Sequence, residues 1–236
     1  MRNRGEPPVH AGGRALTKYA GRGREDRRGG FRCGSRVERL IERDGELWLD
    51  ETFIDAVTAQ EMMAELLSRI EWRTETLTVF GKTVVVPRRV AYYGDTDAVY
   101  RYSGVTHRPR PWFALLAGLR DRVAAVAQAE FNSVLANLYR SGEDSMGWHA
   151  DDEPELGCNP VIASVSLGET RCFQIRHQAS GERLSLPLPA GSLVVMRGAF
   201  QAHWRHAVPK SRRRLGPRIN LSFRRVIRDH EQPAKR

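Results

Sequence analysis

The chain is poor in cysteine: Cys33, Cys158 and Cys172 are the only three in 236 residues, and none forms a CxxC pair. That excludes a disulfide framework, and an odd, sparse set points to reduced thiols in a cytosolic compartment. There is no run of about 18 apolar residues, so no membrane-crossing helix and no membrane partner are expected. No apolar stretch follows the N-terminus, so no secretory leader is expected either. Lysine is scarce, because 34 of the 38 basic residues are Arg. Such a bias fits a GC-rich bacterial source, and with it a cytoplasmic location. Internal repeats and strand–helix alternation are both missing, which argues against a doubly wound parallel sheet. What remains is a hydrophobic content of 41%, enough for one substantial folded domain.

The net charge is +10, and it is unevenly spread. Residues 1–36 hold ten Lys or Arg against three Asp or Glu. This head, with Gly21-Arg22-Gly23-Arg24 and Arg27-Arg28-Gly29-Gly30, has too few apolar residues to fold and is predicted to be disordered. It either adds nonspecific phosphate affinity or only reflects codon composition and a misassigned start. A second basic cluster runs from Arg205 to Arg228, nine basic residues with no acidic one. Arg212-Arg213-Arg214 follows Pro209-Lys210-Ser211 and is expected on a loop, either merely solvated or facing phosphates.

The folded part is expected from Val37. Leu47-Trp48-Leu49 reads as a short strand. Asp55 is placed to cap a helix over residues 56–70, with Met63, Leu66, Leu67 and Ile70 on one face. Leu77–Phe80 reads as a strand, Gly81-Lys82 as a turn and Val84–Val86 as a return strand stopped by Pro87, which makes a β-hairpin with Phe80 near its tip. Pro111-Trp112 opens a second helix through Ala127, with Leu116, Leu119, Val123 and Val126 inward. Strand patterns then recur at Asn132–Tyr139, Val161–Leu167, Cys172–Arg176, Leu193–Arg197 and Arg218–Arg225. The expected class is an all-β core with flanking helices: a sandwich or barrel fronted by helices.

Chemistry concentrates in the C-terminal half. In Arg218-Ile219-Asn220-Leu221-Ser222-Phe223-Arg224, a period of two puts Arg218, Asn220, Ser222 and Arg224 on one face and Ile219, Leu221 and Phe223 on the other. A half-buried strand would turn its polar face to water. A face of two arginines, an amide and a hydroxyl also suits a small dicarboxylate, since Arg pairs with carboxylates in bidentate fashion. Upstream, His149-Ala150-Asp151 sets an imidazole and a carboxylate on one side of an extended segment. A second histidine would complete the two-His, one-carboxylate triad that leaves coordination positions open on non-haem Fe(II). In His203-Trp204-Arg205-His206, spacing alone does not choose between the two, and His177 is a further candidate. Asn137 and Tyr139 share a strand face and could donate hydrogen bonds to the same oxoacid, or simply pack.

Asn137-Leu138-Tyr139, Trp148-His149-Ala150-Asp151-Asp152-Glu153, His206 and the Arg218–Arg224 strand together resemble the AlkB family of Fe(II)/2-oxoglutarate dioxygenases, over about Leu77 to Arg225. The resemblance implies a double-stranded β-helix, or jelly roll, with an N-terminal nucleotide-recognition lid. Its expected bounds are a head at 1–36, helices and lid at 37–130, a catalytic core at 131–228 within the same structural domain, and a tail at 229–236. It implies Fe(II) on His149, Asp151 and His206, which selects His206 over His203. It implies 2-oxoglutarate among Asn137, Tyr139, Arg218, Asn220, Ser222 and Arg224, with Arg218 on the distal carboxylate. The likeness is strongest to the human homologue 2 type, which repairs double-stranded DNA. Val79-Phe80-Gly81-Lys82 is similar to its intercalating finger, and Tyr100-Arg101-Tyr102-Ser103 to its base pocket. Asp152 and Glu153 would then read the exocyclic amine of the damaged base. Trp148 departs from that type, which carries an acidic residue there, and is expected at the pocket rim.

The implied activity is oxidative demethylation of N-alkylated bases such as 1-methyladenine and 3-methylcytosine in duplex DNA by a monomer. The competing readings are the same oxidation on RNA or on a protein side chain, a nucleic-acid-binding jelly roll without catalysis, and a cupin-like metal sensor.

Overall fold

The computed structural model describes residues 37–79, 82–102 and 105–227. The Arg/Gly head, Phe80-Gly81, Ser103-Gly104 and the C-terminal tail lie outside them. The chain opens with β1 (Val37–Ile41) and β2 (Glu46–Asp50), then α1 (Ala56–Arg69), β3 (Arg73–Val79) and β4 (Lys82–Gly94). A small hairpin of β5 (Tyr100–Tyr102) and β6 (Val105–His107) leads to α2 (Ala114–Ala127). Strands β7 (Ser133–Tyr139) and β8 (Met146–His149) are followed by β9 (Ile162–Gly168), β10 (Arg171–His177), β11 (Arg183–Leu188) and β12 (Leu193–Arg197). A four-residue helix α3 (Phe200–His203) runs straight into β13 (Trp204–Val208), and β14 (Arg218–Arg224) closes the fold.

Two antiparallel sheets result. The larger has the order β1-β2-β12-β9-β14-β7-β4-β3, and the smaller β11-β10-β13-β8. This is the expected jelly roll. The N-terminal region is not an appendage to it, because β1 and β2 form one flank of the larger sheet and β4 and β3 the other. The larger sheet is covered on its outer face by the helices, and the smaller sheet faces its inner side. Ile219, Leu221 and Phe223 of β14 join Leu66 of α1 and Leu119 and Val123 of α2 in the outer core. Tyr139, Phe173, Ile175, Met196 and Trp204 belong to the inner core between the sheets. All seven residues of β14 are buried, so its polar face lies not in water but inside the roll. A central antiparallel strand covered on both sides explains this.

The helices follow local rules. Asp55 caps α1 by accepting from the Thr58 backbone N–H at 3.0 Å. The buried stripe of α1 is Ala59, Met62, Met63 and Leu66, continuing to Ile70; Leu67, expected inward, is 37% exposed because the stripe turns toward Met62 instead. Pro111 and Trp112 precede α2 rather than sit in it, and Phe113 occupies the cap position. Pro87 does not stop its strand. The β3–β4 register jumps from Thr74↔Arg89 to Thr76↔Val85, so Val86, Pro87 and Arg88 together oppose Glu75. A bulge is where a strand tolerates a residue without an N–H donor. The Pro87 carbonyl is used instead, accepting from Ser145 N–H at 3.0 Å.

Two glycines allow a test of opposite sign. Gly45 has φ +116°, and an added Cβ would lie 2.2 Å from the Phe200 nitrogen; Gly118, exposed in α2, has nothing within 4 Å. Gly45→Ala should cost roughly 2–4 kcal/mol by clash and strain, whereas Gly118→Ala should add about 0.5–1 kcal/mol. Urea denaturation of both variants checks the pair.

Candidate active site

The two strands that carry the candidate ligands are neighbours in the smaller sheet. His149 of β8 and His206 of β13 are directly paired, so their rings face one another across the strands at 4.2 Å between centroids. Asp151 lies two residues past His149, which returns its carboxylate to the same side. Its Oδ2 is 3.7 Å from His206 Nε2, and one ligand atom from each of the three residues lies within 4.8 Å of the others. His203 is exposed at the end of α3, before β13 begins.

The surroundings set the chemical state of these groups. His149 Nδ1 is 2.9 Å from the Gly147 carbonyl, which can only accept, so Nδ1 carries the proton and Nε2 keeps a free lone pair. Burial, with a smaller effect of His149, pulls the His206 pKa down to about 3. Burial also lowers that of His149. Both rings are therefore neutral, as a metal ligand must be. Burial acts against the Asp151 carboxylate, but Arg224 and the two histidines hold its pKa below the ordinary value. Arg224 Nη2 donates to Asp151 Oδ1 at 2.5 Å, and the Asp151 N–H donates to Gln201 Oε1 at 3.0 Å. Burial alone would lower the Arg224 pKa; Asp151, ahead of Tyr100 and Glu153, holds it above its usual value. Three converging donors in these states fit a divalent ion.

A cavity runs from the triad to Arg218 and is lined by Asn137, Tyr139, Arg218, Asn220, Ser222 and Arg224, among others. Arg218 is 1% exposed and donates to Ser166 Oγ at 2.8 Å, yet its Nε and Nη1 have no partner. Burial lowers its pKa to about 10, which leaves it charged at neutral pH. Two unpartnered donors on a buried guanidinium fit a bidentate carboxylate. Tyr139 lies under that group at 5.3 Å. Asn220 donates to Ser164 Oγ at 2.6 Å and accepts from Ser222 Oγ at 3.1 Å, so these side chains brace the cavity wall.

A second, more apolar cavity adjoins the first at His149 and Asp151, with Val90, Tyr92, Tyr100, Glu153, Glu75 and His107 in its walls. His149, Asp151 and Arg224 line both cavities. Tyr100 and Glu153 both line this cavity. Asp152 is exposed and lines neither cavity. The chain at Asp152 leaves the sheet, so successive side chains no longer share one destination. Trp148 is not at the rim; it packs under Arg176 at 4.9 Å, on the strand face opposite His149. Lys82, Arg101 and Tyr102 are described only through their strands, while Phe80, Gly81 and Ser103 fall outside the described residues.

Sequence reasoning missed Arg88, which donates to Asn137 Oδ1 at 2.7 Å and lines both cavities. A basic residue after a mid-strand proline was the available signal. It also missed Gln201, Ser166, Glu75 and His107, for which no local pattern exists. The other histidine group, Asp44, His177 and His203, is a structural latch. His177 Nδ1 accepts the Ser180 N–H at 3.0 Å, so Nε2 bears the proton and donates to Asp44 Oδ2 at 3.1 Å, leaving His177 no lone pair for a metal.

The buried neutral histidines make a pH prediction. In the unfolded chain they titrate near 6.5, whereas in the folded protein they resist protonation; folded pKa values are depressed. Below about pH 6.5 the unfolded state binds more protons, so stability of the metal-free protein falls as pH drops toward about 3, by up to ~1.4 kcal/mol per pH unit for each histidine. His206→Gln should flatten that slope in denaturation curves taken between pH 7 and 4.5; an unchanged slope would remove His206 from this role.

Residues 47–224 match the 2OG-Fe(II) oxygenase superfamily. The chain is 42% identical over 180 residues to the DNA oxidative demethylase ALKBH2 of Bos taurus, covering 72% of this chain and 65% of that protein. It is 37% identical over 233 residues to the human protein of the same name, covering 94% of this chain and 89% of that one. It is 38% identical to the human alpha-ketoglutarate-dependent dioxygenase alkB homolog 3, with coverages of 81% and 74%. In fold it is similar to a solved structure of OsALKBH1 at a TM-score of 0.56 and 17% identity, covering 80% of this chain and all of that one. On sequence, fold and the fit of the site to Fe(II) and 2-oxoglutarate, the chain belongs to the AlkB family of 2-oxoglutarate- and Fe(II)-dependent oxygenases.

Proposed function

We propose that this protein removes N-linked methyl groups from alkylated bases, such as 1-methyladenine and 3-methylcytosine, in DNA. One observation carries the reading: His149 and Asp151 of the triad line both a polar cavity ending on Arg218 and an adjoining apolar cavity walled by tyrosines. Such a partition lets a cofactor reach the metal from one side and a base from the other. Relatives at 37–42% identity bear the name DNA oxidative demethylase, which supports DNA as the substrate.

In this reading His149, Asp151 and His206 hold Fe(II), and Arg218 takes the distal carboxylate of 2-oxoglutarate. Arg224 keeps Asp151 ionised and oriented, and Arg88 fixes Asn137 at the cavity wall. With Fe(II), 2-oxoglutarate and O2 bound, the centre supplies an oxidation that yields succinate and CO2 and turns the N-methyl group into a hemiaminal, which loses formaldehyde. The protein's part is placement. Tyr92 and Tyr100 form an apolar wall against which an extruded base can stack, and burial keeps water from the reacting carbon. Glu153, whose pKa is raised chiefly by burial, faces the same cavity and offers an acceptor to the base edge.

Duplex DNA is the preferred form in this proposal. Beyond its bulge, β4 pairs only with β3, from Thr76↔Val85 to Val79↔Lys82, and leaves β7 behind. The ribbon therefore projects past the sheet, with Val84 and Val85 exposed at 48% and 58%. An apolar ribbon of this kind, with Phe80 between its two strands in sequence, suits insertion into a base stack. Exposed Arg212, Arg213 and Arg214 have no acidic partner among the described residues and suit phosphates.

The tests use methylated oligonucleotides with Fe(II), ascorbate and 2-oxoglutarate, reading methyl mass and formaldehyde. Asp151→Ala and His206→Ala should each abolish turnover, at least 100-fold down; wild-type rates in either would refute the triad. Phe80→Ala should lower duplex repair roughly tenfold while sparing single strands; an equal loss on both substrates counts against the finger.

A further inference from the structure

We propose that Glu75 and His107 form a charge-selective mouth to the base cavity, with Glu75 as the second carboxylate that favours cationic over neutral alkylated bases. This rests on the base-demethylase reading above and names the substrate class within it.

The geometry begins with the bulge. Glu75 is the single β3 residue opposite Val86-Pro87-Arg88, and its side chain lines the base cavity. His107 lies directly across from Tyr100 in the β5–β6 hairpin, with ring centroids 6.3 Å apart. Its Nδ1 is 3.5 Å from Glu75 Oε1, and the two side chains are 18% and 25% exposed. Both residues also line the open groove that carries Glu71, Arg73, Arg108 and Arg110, so the pair stands where cavity meets groove.

The arginines around the cavity are committed, whereas Glu153 keeps Oε2 without a hydrogen-bond partner and is the first carboxylate of the site. Arg224 is bound to Asp151, and Arg88 to Asn137. Glu153 stands with Tyr100 and within the field of Arg224. Across the groove, Arg110 is paired with Glu71 at 2.6 Å. Among the described residues only His107 stands within ion-pair distance of Glu75, too far for a strong hydrogen bond. A base that carries a full positive charge can therefore compete with His107 for the Glu75 carboxylate. A neutral base gains nothing from that exchange. Asp152, the other carboxylate that the sequence suggested for this role, points to solvent, so Glu75 supplies what Asp152 does not.

The two residues then have opposite effects. Removing the Glu75 charge weakens cationic substrates. Removing His107 frees Glu75 and strengthens them. A purely structural pair would give losses of the same sign in both variants.

The experiment uses the full chain loaded anaerobically with Fe(II) and 2-oxoglutarate. Single-stranded oligonucleotides carry 1-methyladenine or 3-methylcytosine as cationic lesions, and 1-methylguanine or 3-methylthymine as neutral ones. Fluorescence anisotropy gives Kd, and aerobic turnover gives KM and kcat. Glu75→Gln should raise Kd and KM for the cationic pair roughly tenfold, with kcat kept and the neutral pair changed less than about twofold. His107→Leu should lower Kd and KM for the cationic pair about two- to fivefold. Equal shifts on charged and neutral lesions, or a loss in both variants, overturn the proposal. A wild-type protein that turns over none of the four lesions defeats the demethylase reading instead, while the Kd comparison still decides the role of Glu75.

Discussion

The contact on which the site depends is the buried ion pair between Arg224 and Asp151. Arg224 comes from the last strand of the larger sheet, and Asp151 from the segment just after β8 of the smaller one. Their 2.5 Å bond therefore joins the two layers at the triad itself. Two charges at this depth are costly unless they meet each other, and removing one partner of such a pair typically costs 3–5 kcal/mol. The pair also sets chemistry: it keeps a carboxylate ionised beside two neutral imidazoles. Stability and metal affinity are here properties of one interaction.

Around that pair, the alternation of β14 does most of the organising. Its odd positions, Ile219, Leu221 and Phe223, fasten the sheet to α1 and α2. Its even positions build the polar cavity. β7, β4 and β9 repeat the arrangement in register, with Asn137 opposite both Asn220 and Val90, and Ser164 opposite Ser222. A shift of one residue in β14 would send both arginines into the helical core and three apolar side chains toward the metal site. Register is therefore held as firmly by the function as by the fold.

Much of this was legible in the sequence because it repeats with period two or hangs on capping. The β14 face, the HxD pair, the Asp55 cap and most core strands are of that kind. The choice of His206 over His203 was not, since both lie near one strand start; cross-strand pairing with His149 separates them. Arg88 and Glu75 were invisible because a bulge re-aims them, and a proline inside a strand reads locally as an end. Asp152 was over-read: adjacency to Asp151 suggested a shared site, but the chain turns away from the sheet there. Strands β8 and β13 were missed as short segments whose neighbours come from distant sequence, and β11 was missed although it forms a hairpin with β10.

The ribbon formed by β3 and the first part of β4 shares hydrogen bonds with no strand of the roll's interior beyond the bulge at Pro87. Among the described residues, its outer half is hydrogen-bonded within the ribbon alone. The lineage of this fold can thus vary that ribbon while inheriting its oxidative interior unaltered.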